Sequence, residues 1–285
     1  MKLGINPLPD LDWRQIDWIS YAQRWRKLGF SGATLFIHKP LESHPRDILP
    51  VKQACDEVGL AVTQANGWYE CLVNPDETLR AEGIKGMQAL CRYGVYLDAH
   101  SVYMRPGSLN PNGHWWAHPG NHSDETFERL VDSVRQVCRV AEMEGVKIAV
   151  EGHVMTTLDT PARVLDLLEA VSSPALKFNL DPVNFVGTVR DVHDTTRIIN
   201  LLFDLLGKDV IAAHAKDCEL AEAFVMQIPE VVIGTGTMNY ELFLRRFVQT
   251  CPDKYFIIEH LPEEKIPLAR EALRLVAKRL NIVFE

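Results

Sequence analysis

At 285 residues, 47% of them hydrophobic, the chain can bury a full core, and an α/β barrel of ~250 residues uses such a length as one domain. A formal net charge of −8, with no Lys/Arg run, argues against a phosphate backbone as partner, so we expect no nucleic acid. The six cysteines, at positions 55, 71, 91, 138, 218 and 251, form no CxxC pair and read as free thiols of a reducing compartment.

The opening MKLGINPLPD has no charged segment followed by an apolar stretch, so no signal peptide is expected. No apolar run approaches ~18 residues, so no membrane span is expected either. These features suggest a cytoplasmic enzyme or binding protein. The sequence leaves homo-oligomerisation open.

In chain order, strand-like apolar runs lie at 2–6, 32–38, 61–66, 97–104, 145–150, 176–180, 210–213 and 255–258. Between them the period is helical. Phe127, Leu130, Val131, Val134, Val137, Cys138 and Ala141 make one amphipathic stripe. Ile198, Ile199, Leu202, Leu205 and Leu206 make another, and Ile266, Ala269, Leu273 and Val276 a third. Ser123 and the Asp159-Thr160-Pro161 segment read as helix starts. Strict alternation predicts βαβ units and a parallel sheet. Eight units predict a closed (β/α)8 TIM barrel over residues 1–285 as a single domain. The rival doubly wound sheet would carry an early Gly-rich phosphate loop, and none is present. The long irregular stretch 106–122 holds Trp115-Trp116, and we expect it to cover a substrate, because an exposed Trp pair calls for a partner. Gly234-Thr-Gly236 reads as a tight turn into a helix beginning near Asn239 rather than a phosphate site.

Active sites of such barrels form at the C-terminal ends of the strands. The last four predicted strands end VKIAV-Glu151, LKFNL-Asp181, VIAA-His214 and YFII-Glu259. Three carboxylates converging at one rim repel one another unless a cation sits among them. We therefore expect one divalent metal ion on Glu151, Asp181, His214 and Glu259. A thiolate-free oxygen and nitrogen set suits Mn²⁺ first, with Mg²⁺, Co²⁺, Fe²⁺ or Zn²⁺ as alternatives. Four protein ligands leave about two positions open on an octahedral ion, which vicinal oxygens of a sugar could fill. The ion would act as a Lewis acid while an enediolate develops.

Several neighbouring residues are candidates for substrate contact. His153 shares the strand parity of Glu151, and Lys216 that of His214. Lys216 could bind a substrate oxygen or make a salt bridge to Asp217 or another carboxylate. Trp68, Arg105, Asn184 and His260 lie near other predicted strand ends, as do His38 and Glu70. His44, His114, His118, His122 and His193 read as solvated loop residues.

The segments VEGH at 150–153, NLDPVN at 179–184, HAKD at 214–217, GTGTMNY at 234–240 and IIEH at 257–260 resemble the xylose-isomerase-like barrel superfamily, in its sugar phosphate isomerase/epimerase group. The resemblance runs over nearly the whole chain and implies the same four metal ligands. In the ketose 3-epimerases of that group, the first and last ligand carboxylates also exchange protons with substrate. By that likeness Glu151 and Glu259 are the catalytic acid/base pair. Those epimerases usually carry His three residues after the Asp ligand and Arg shortly after the His ligand; here Asn184, and Lys216 with Asp217, stand instead. The AP endonuclease branch needs further His ligands that this chain lacks. The resemblance thus implies an isomerase or epimerase acting on a keto-sugar or related polyol. A lyase or dehydratase acting on a keto-sugar, keto-inositol or 3-keto-glycoside is the alternative. A non-catalytic carbohydrate-binding barrel is the second alternative.

Overall fold

A computed structural model describes residues 1–7 and 12–285. Eight parallel strands close into a barrel: β1 Lys2–Asn6, β2 Gly32–Ile37, β3 Ala61–Gly67, β4 Ser101–Met104, β5 Ile148–Val150, β6 Leu176–Leu180, β7 Val210–Ala215 and β8 Tyr255–Glu259. Each strand neighbours the next in sequence, and β1 pairs with β8 from Lys2–Tyr255 to Asn6–Glu259, which closes the ring. The outer layer contains α1 Trp18–Lys27, α2 Leu49–Val58, α3 Glu77–Tyr96, α4 Asp124–Glu144, α5 Pro161–Val171, the short α6 Val189–His193, α7 Thr196–Leu206, α8 Tyr240–Thr250 and α9 Ile266–Arg279. No helix among the described residues is long and apolar enough to cross a membrane.

The amphipathic stripes become the inner faces of these helices. Leu130, Val134, Val137 and Ala141 of α4 are fully buried, as are Ile199, Leu202 and Leu206 of α7. Phe127 is half-buried, covered by the Arg163 guanidinium 4.0 Å above its ring. A second, smaller apolar cluster of Ala212, Tyr255 and Ile257 packs separately. Gly32 makes room for it: a Cβ there would lie 2.9 Å from the Tyr255 ring and 2.7 Å from Thr63 Cγ2.

Element boundaries differ from expectation where local backbone chemistry intervenes. Gly145 takes φ +72° as the C-cap of α4, so β5 starts only at Ile148. Residues 97–100 end α3 and turn, with Asp98 at φ +49°, so β4 starts at Ser101. The cap of α5 is Thr160, whose side chain accepts from the Arg163 amide; Asp159 lies outside. His214 and Glu259 are the penultimate and last residues of their strands rather than lying after them. Ser123 and Asn239 cap α4 and α8.

The 106–122 stretch is pinned by its own Asn121 and Ser108 side chains. Asn121 is fully buried and donates to the Met155 carbonyl at 2.9 Å, while its Oδ1 accepts from the Leu109 amide at 2.8 Å. Ser108 Oγ donates to the Trp116 carbonyl at 2.6 Å. The six cysteines are free.

Candidate active site and metal centre

Glu151, Asp181, His214 and Glu259 come from β5, β6, β7 and β8, four successive staves of one half of the barrel. All four are buried, and each offers a ligand atom within 4.8 Å of the others. Two donors on opposite sides of an ion, each about 2.1 Å from it, would be ~4.2 Å apart, so slight closure suffices. His214 Nδ1 lies 2.9 Å from Glu259 Oε2 and 3.4 Å from Glu151 Oε1. Neither His214 Nδ1 nor Asp181 Oδ2 has a partner in hydrogen-bond geometry, despite the close charged groups. Two buried, unsatisfied donor atoms aimed into one carboxylate cluster fit a cation.

A hydrogen-bond chain dictates which imidazole nitrogen faces the cluster. An ionised Glu151 only accepts, so Asn179 turns its amide nitrogen to Glu151 Oε1, at 3.4 Å. Asn179 Oδ1 then accepts from Gln64 Nε2 at 2.9 Å. Gln64 Oε1 is left to accept from His214 Nε2 at 3.0 Å. His214 Nδ1 is therefore the nitrogen left for a metal. The Tyr103 hydroxyl donates to Glu151 Oε2, and Asn6 Nδ2 donates to Glu259 Oε2 at 3.0 Å.

Among the protein's own groups, charge in the cluster is balanced by protons. Burial pushes Asp181 up to about 8, with Glu151 and Glu259 adding to the push and Lys216 opposing it. Burial would lower His214, but the Glu259 and Glu151 charges outweigh it and raise the imidazole to about 10. Burial would raise Glu151 and Glu259, yet His214 holds both below the ordinary range. Lys216 Nζ sits 3.0 Å from Asp181 Oδ2, 3.2 Å from Glu230 Oε1 and 3.6 Å from Glu259 Oε1. Its pKa is raised because those carboxylates outweigh burial.

The cluster opens into a cavity of about 490 Å³. Trp68, Arg105, His153, Asn184, Lys216 and His260 all line it, as does His38. Lys216 donates to Asn184 Oδ1 at 2.6 Å. Its salt-bridge partners do not include Asp217, whose carboxylate instead accepts from the backbone amides of Cys218, Gly234, Gly236 and Met238. The Gly234 and Gly236 amides are therefore spent on Asp217 and the Thr235 amide on the Val232 carbonyl, so none is left for a phosphate. His153 Nδ1 accepts from the Met155 amide at 3.2 Å, so the neutral ring carries its proton on Nε2. Burial and Lys216 lower His153 to about 4. Arg105 donates to the Gly67 carbonyl at 2.8 Å and to Asn66 Oδ1 at 3.1 Å. His260, at φ +57°, contacts Glu230 at 3.2 Å.

Other expectations change. Glu70 is exposed and does not line the cavity. His114 is not solvated: it is 7% exposed, bonds the Tyr69 carbonyl at 3.0 Å, and is pushed down to about 3 by burial and Arg105. Of the Trp pair, Trp115 lines the cavity against His153, with ring centroids 5.9 Å apart, whereas Trp116 does not line it and is 55% exposed. Asn6, Phe36, Asn66, Tyr103 and Glu230 line the cavity without having been singled out. Asn6 ends the first strand, so the strand-end rule applied to every strand finds it.

The family model described as the xylose isomerase-like TIM barrel matches residues 22–279. A probable L-ribulose-5-phosphate 3-epimerase of Mycoplasma pneumoniae is 26% identical over 173 residues, 58% of this chain and 45% of that relative. The match thus spans less than half of the curated relative's own length. Among solved structures, the 3-keto-D-glucoside 4-epimerase of E. coli superimposes with a TM-score of 0.72 at 17% identity, over 98% of this chain and 99% of that one. A Mycobacterium smegmatis protein of this barrel type, solved with magnesium, gives 0.74 at 16% identity, over 98% and 96%. Those two likenesses concern the fold; the match over residues 22–279 places the chain in the xylose isomerase-like TIM barrel family.

Proposed function

We propose that this protein is a divalent-metal-dependent isomerase or epimerase that moves a proton on the carbon beside the carbonyl of a keto-sugar. The observation that carries the reading is two buried carboxylates, Glu151 and Glu259, on either side of His214 Nδ1 and open to one cavity. Epimerases among the similar proteins support it. Glu151, Asp181, His214 and Glu259 would hold the ion, Mn²⁺ by donor chemistry, while the magnesium in the M. smegmatis barrel keeps Mg²⁺ in view. Bound there, the ion would supply Lewis-acid polarisation of adjacent substrate oxygens.

The chain's own residues would do the rest. In the protein alone the protonated His214 holds Glu151 and Glu259 below the ordinary carboxylate range, a role the charge of a bound cation would take over, so either can take the substrate proton. The other returns a proton from its own side, drawn from solvent through the open mouth. Lys216, Asn184 and His153 orient the substrate oxygens. The Trp115 side of the 106–122 stretch screens the reacting end from water.

The test is turnover in D₂O by the metal-loaded protein on a panel of ketoses, keto-inositols and 3-keto-glycosides. The product should have the substrate's constitution and gain solvent deuterium at one carbon. Turnover without deuterium uptake rules the mechanism out. A second reading, β-elimination by a lyase or dehydratase, is favoured by Lys216 at the rim, where a cationic donor can steady a departing oxygen. Loss of water or an aglycone from the product mass identifies it. Metal-dependent sugar binding without turnover on the whole panel identifies a binding protein.

A further inference from the structure

Half of the cavity has no part in the proton transfer. Glu151, Asp181, His214 and Glu259 occupy the β5–β8 side of the ring. The opposite side, at the ends of β2 and β3, carries Phe36 and Trp68, while Trp115, in the loop after β4, stands against His153 at the border with the reacting side. Trp68 is 55% exposed, yet it is held in place. The Arg105 guanidinium lies 5.0 Å from its ring, and Phe36 meets it edge-on at 5.7 Å. Arg105 is in turn fixed by the Gly67 carbonyl and Asn66 Oδ1. A braced indole open to a cavity is a stacking platform for a ring.

Size and charge define the occupant. A free sugar has about a dozen non-hydrogen atoms, each smaller than the ~30 Å³ share of a water, so it fills well under the available volume of about 490 Å³. With its reacting carbon at the carboxylates, such a sugar leaves the aromatic side empty. No Lys or Arg on that side is free for a phosphate, which would meet only the imidazole of His38 beside Phe36. Arg105 is already bonded and only 5% exposed, and Lys216 is engaged by Asp181 and Asn184 on the other side.

We infer that Trp68, with Phe36 and Trp115, forms a subsite for an uncharged second ring, and that the substrate is a glycoside of a keto-sugar rather than a free or phosphorylated monosaccharide. The inference rests on the proposed reaction for its keto-sugar half and on the aromatic wall for its second ring.

Binding to the Mn²⁺-loaded full chain tests it without requiring turnover. The probes are methyl and phenyl β-D-glucopyranoside, the corresponding β-D-galactopyranosides, and glucose 6-phosphate, followed by calorimetry and tryptophan fluorescence. The phenyl member of a pair should bind about 10-fold tighter than the methyl member. Trp68→Ala should abolish that preference while changing methyl glycoside binding less than about 2-fold, and Trp68→Phe should retain most of it. Trp116→Ala, outside the cavity, should leave both unchanged. Equal binding within both pairs, no binding by any glycoside, or tighter binding of glucose 6-phosphate overturns the inference. Deuterium exchange on a free ketose with no glycoside preference would sink the subsite alone. Glycoside preference without exchange on any keto-sugar would sink the reaction alone.

Discussion

Lys216 Nζ donates to Asn184 Oδ1 at 2.6 Å, so the two positions at which this chain departs from the ketose 3-epimerases it resembles touch each other. They form one polar unit at the cavity wall, anchored to Asp181 by the same ammonium. Lys216→Met should lower kcat/KM on the true substrate by about 10- to 100-fold, the loss of one charged hydrogen bond. Mn²⁺ affinity should not fall, because removing a cation from among carboxylates cannot weaken their pull on another. A competition titration with a chromophoric chelator separates the two. If Mn²⁺ binding collapses, Lys216 builds the site rather than serving the substrate.

Gln64 orients the His214 imidazole, the candidate ligand, through its bond to Nε2. Gln64→Leu keeps bulk and removes the acceptor, and Mn²⁺ affinity should drop by about 10- to 100-fold with an unchanged circular dichroism spectrum. Gln64→Glu keeps the acceptor for His214 Nε2 but loses the donor to Asn179 Oδ1, so it should recover only part of the affinity. Equal affinity in wild type and Gln64→Leu would show that packing alone sets the ring.

Metal uptake should release protons. In the metal-free site Asp181 is raised to about 8 and His214 to about 10, so both hold protons at pH 7. Both must leave for the atoms to act as ligands, so one Mn²⁺ should release between about one and two protons, and affinity should climb from pH 6 to 9. Calorimetry in buffers of different ionisation enthalpy measures the release. The stability of the metal-free form follows the same sign. Each group has a folded pKa above its ordinary value of 3.8 or 6.5. Its contribution is complete below that ordinary value and is lost as pH rises through about 8 and then about 10. The metal-free Tm should therefore fall between pH 7 and 10. A flat profile with no proton release contradicts this charge balance.

Gly236 lets the Asp217 carboxylate organise the turn before α8. A Cβ at 236 would lie 2.4 Å from both Asp217 Oδ1 and the Cys218 carbonyl. Gly236→Ala should cost about 1–3 kcal/mol of stability, read by denaturant unfolding. A cost near zero would mean that the turn shifts freely.

The barrel was legible because strand and helix periods differ and alternate, and the four candidate ligands because each follows an apolar run. Strand ends are a local signal. Gln64 and Asn179 sit inside strands, and their role depends on which strands face each other across the barrel, which periodicity does not encode. Glu230 reaches the cavity only because residues 230–231 pair antiparallel with 217–218 beyond a loop. His114 read as a solvated loop residue, and its burial comes from a contact 45 positions away with Tyr69. Phe36 looked like core, and its cavity face appears only once β2 is placed opposite the carboxylates.

Metal stoichiometry tests the main claim most directly. Chelator-treated protein, titrated with Mn²⁺ and measured by elemental analysis after desalting, should retain about one ion per chain, the number this ligand set accommodates. The double variant Asp181→Asn/His214→Asn, checked for a native circular dichroism spectrum, should retain none. Retention of one ion by the folded double variant, or none by the wild type, would contradict a metal centre built from Glu151, Asp181, His214 and Glu259.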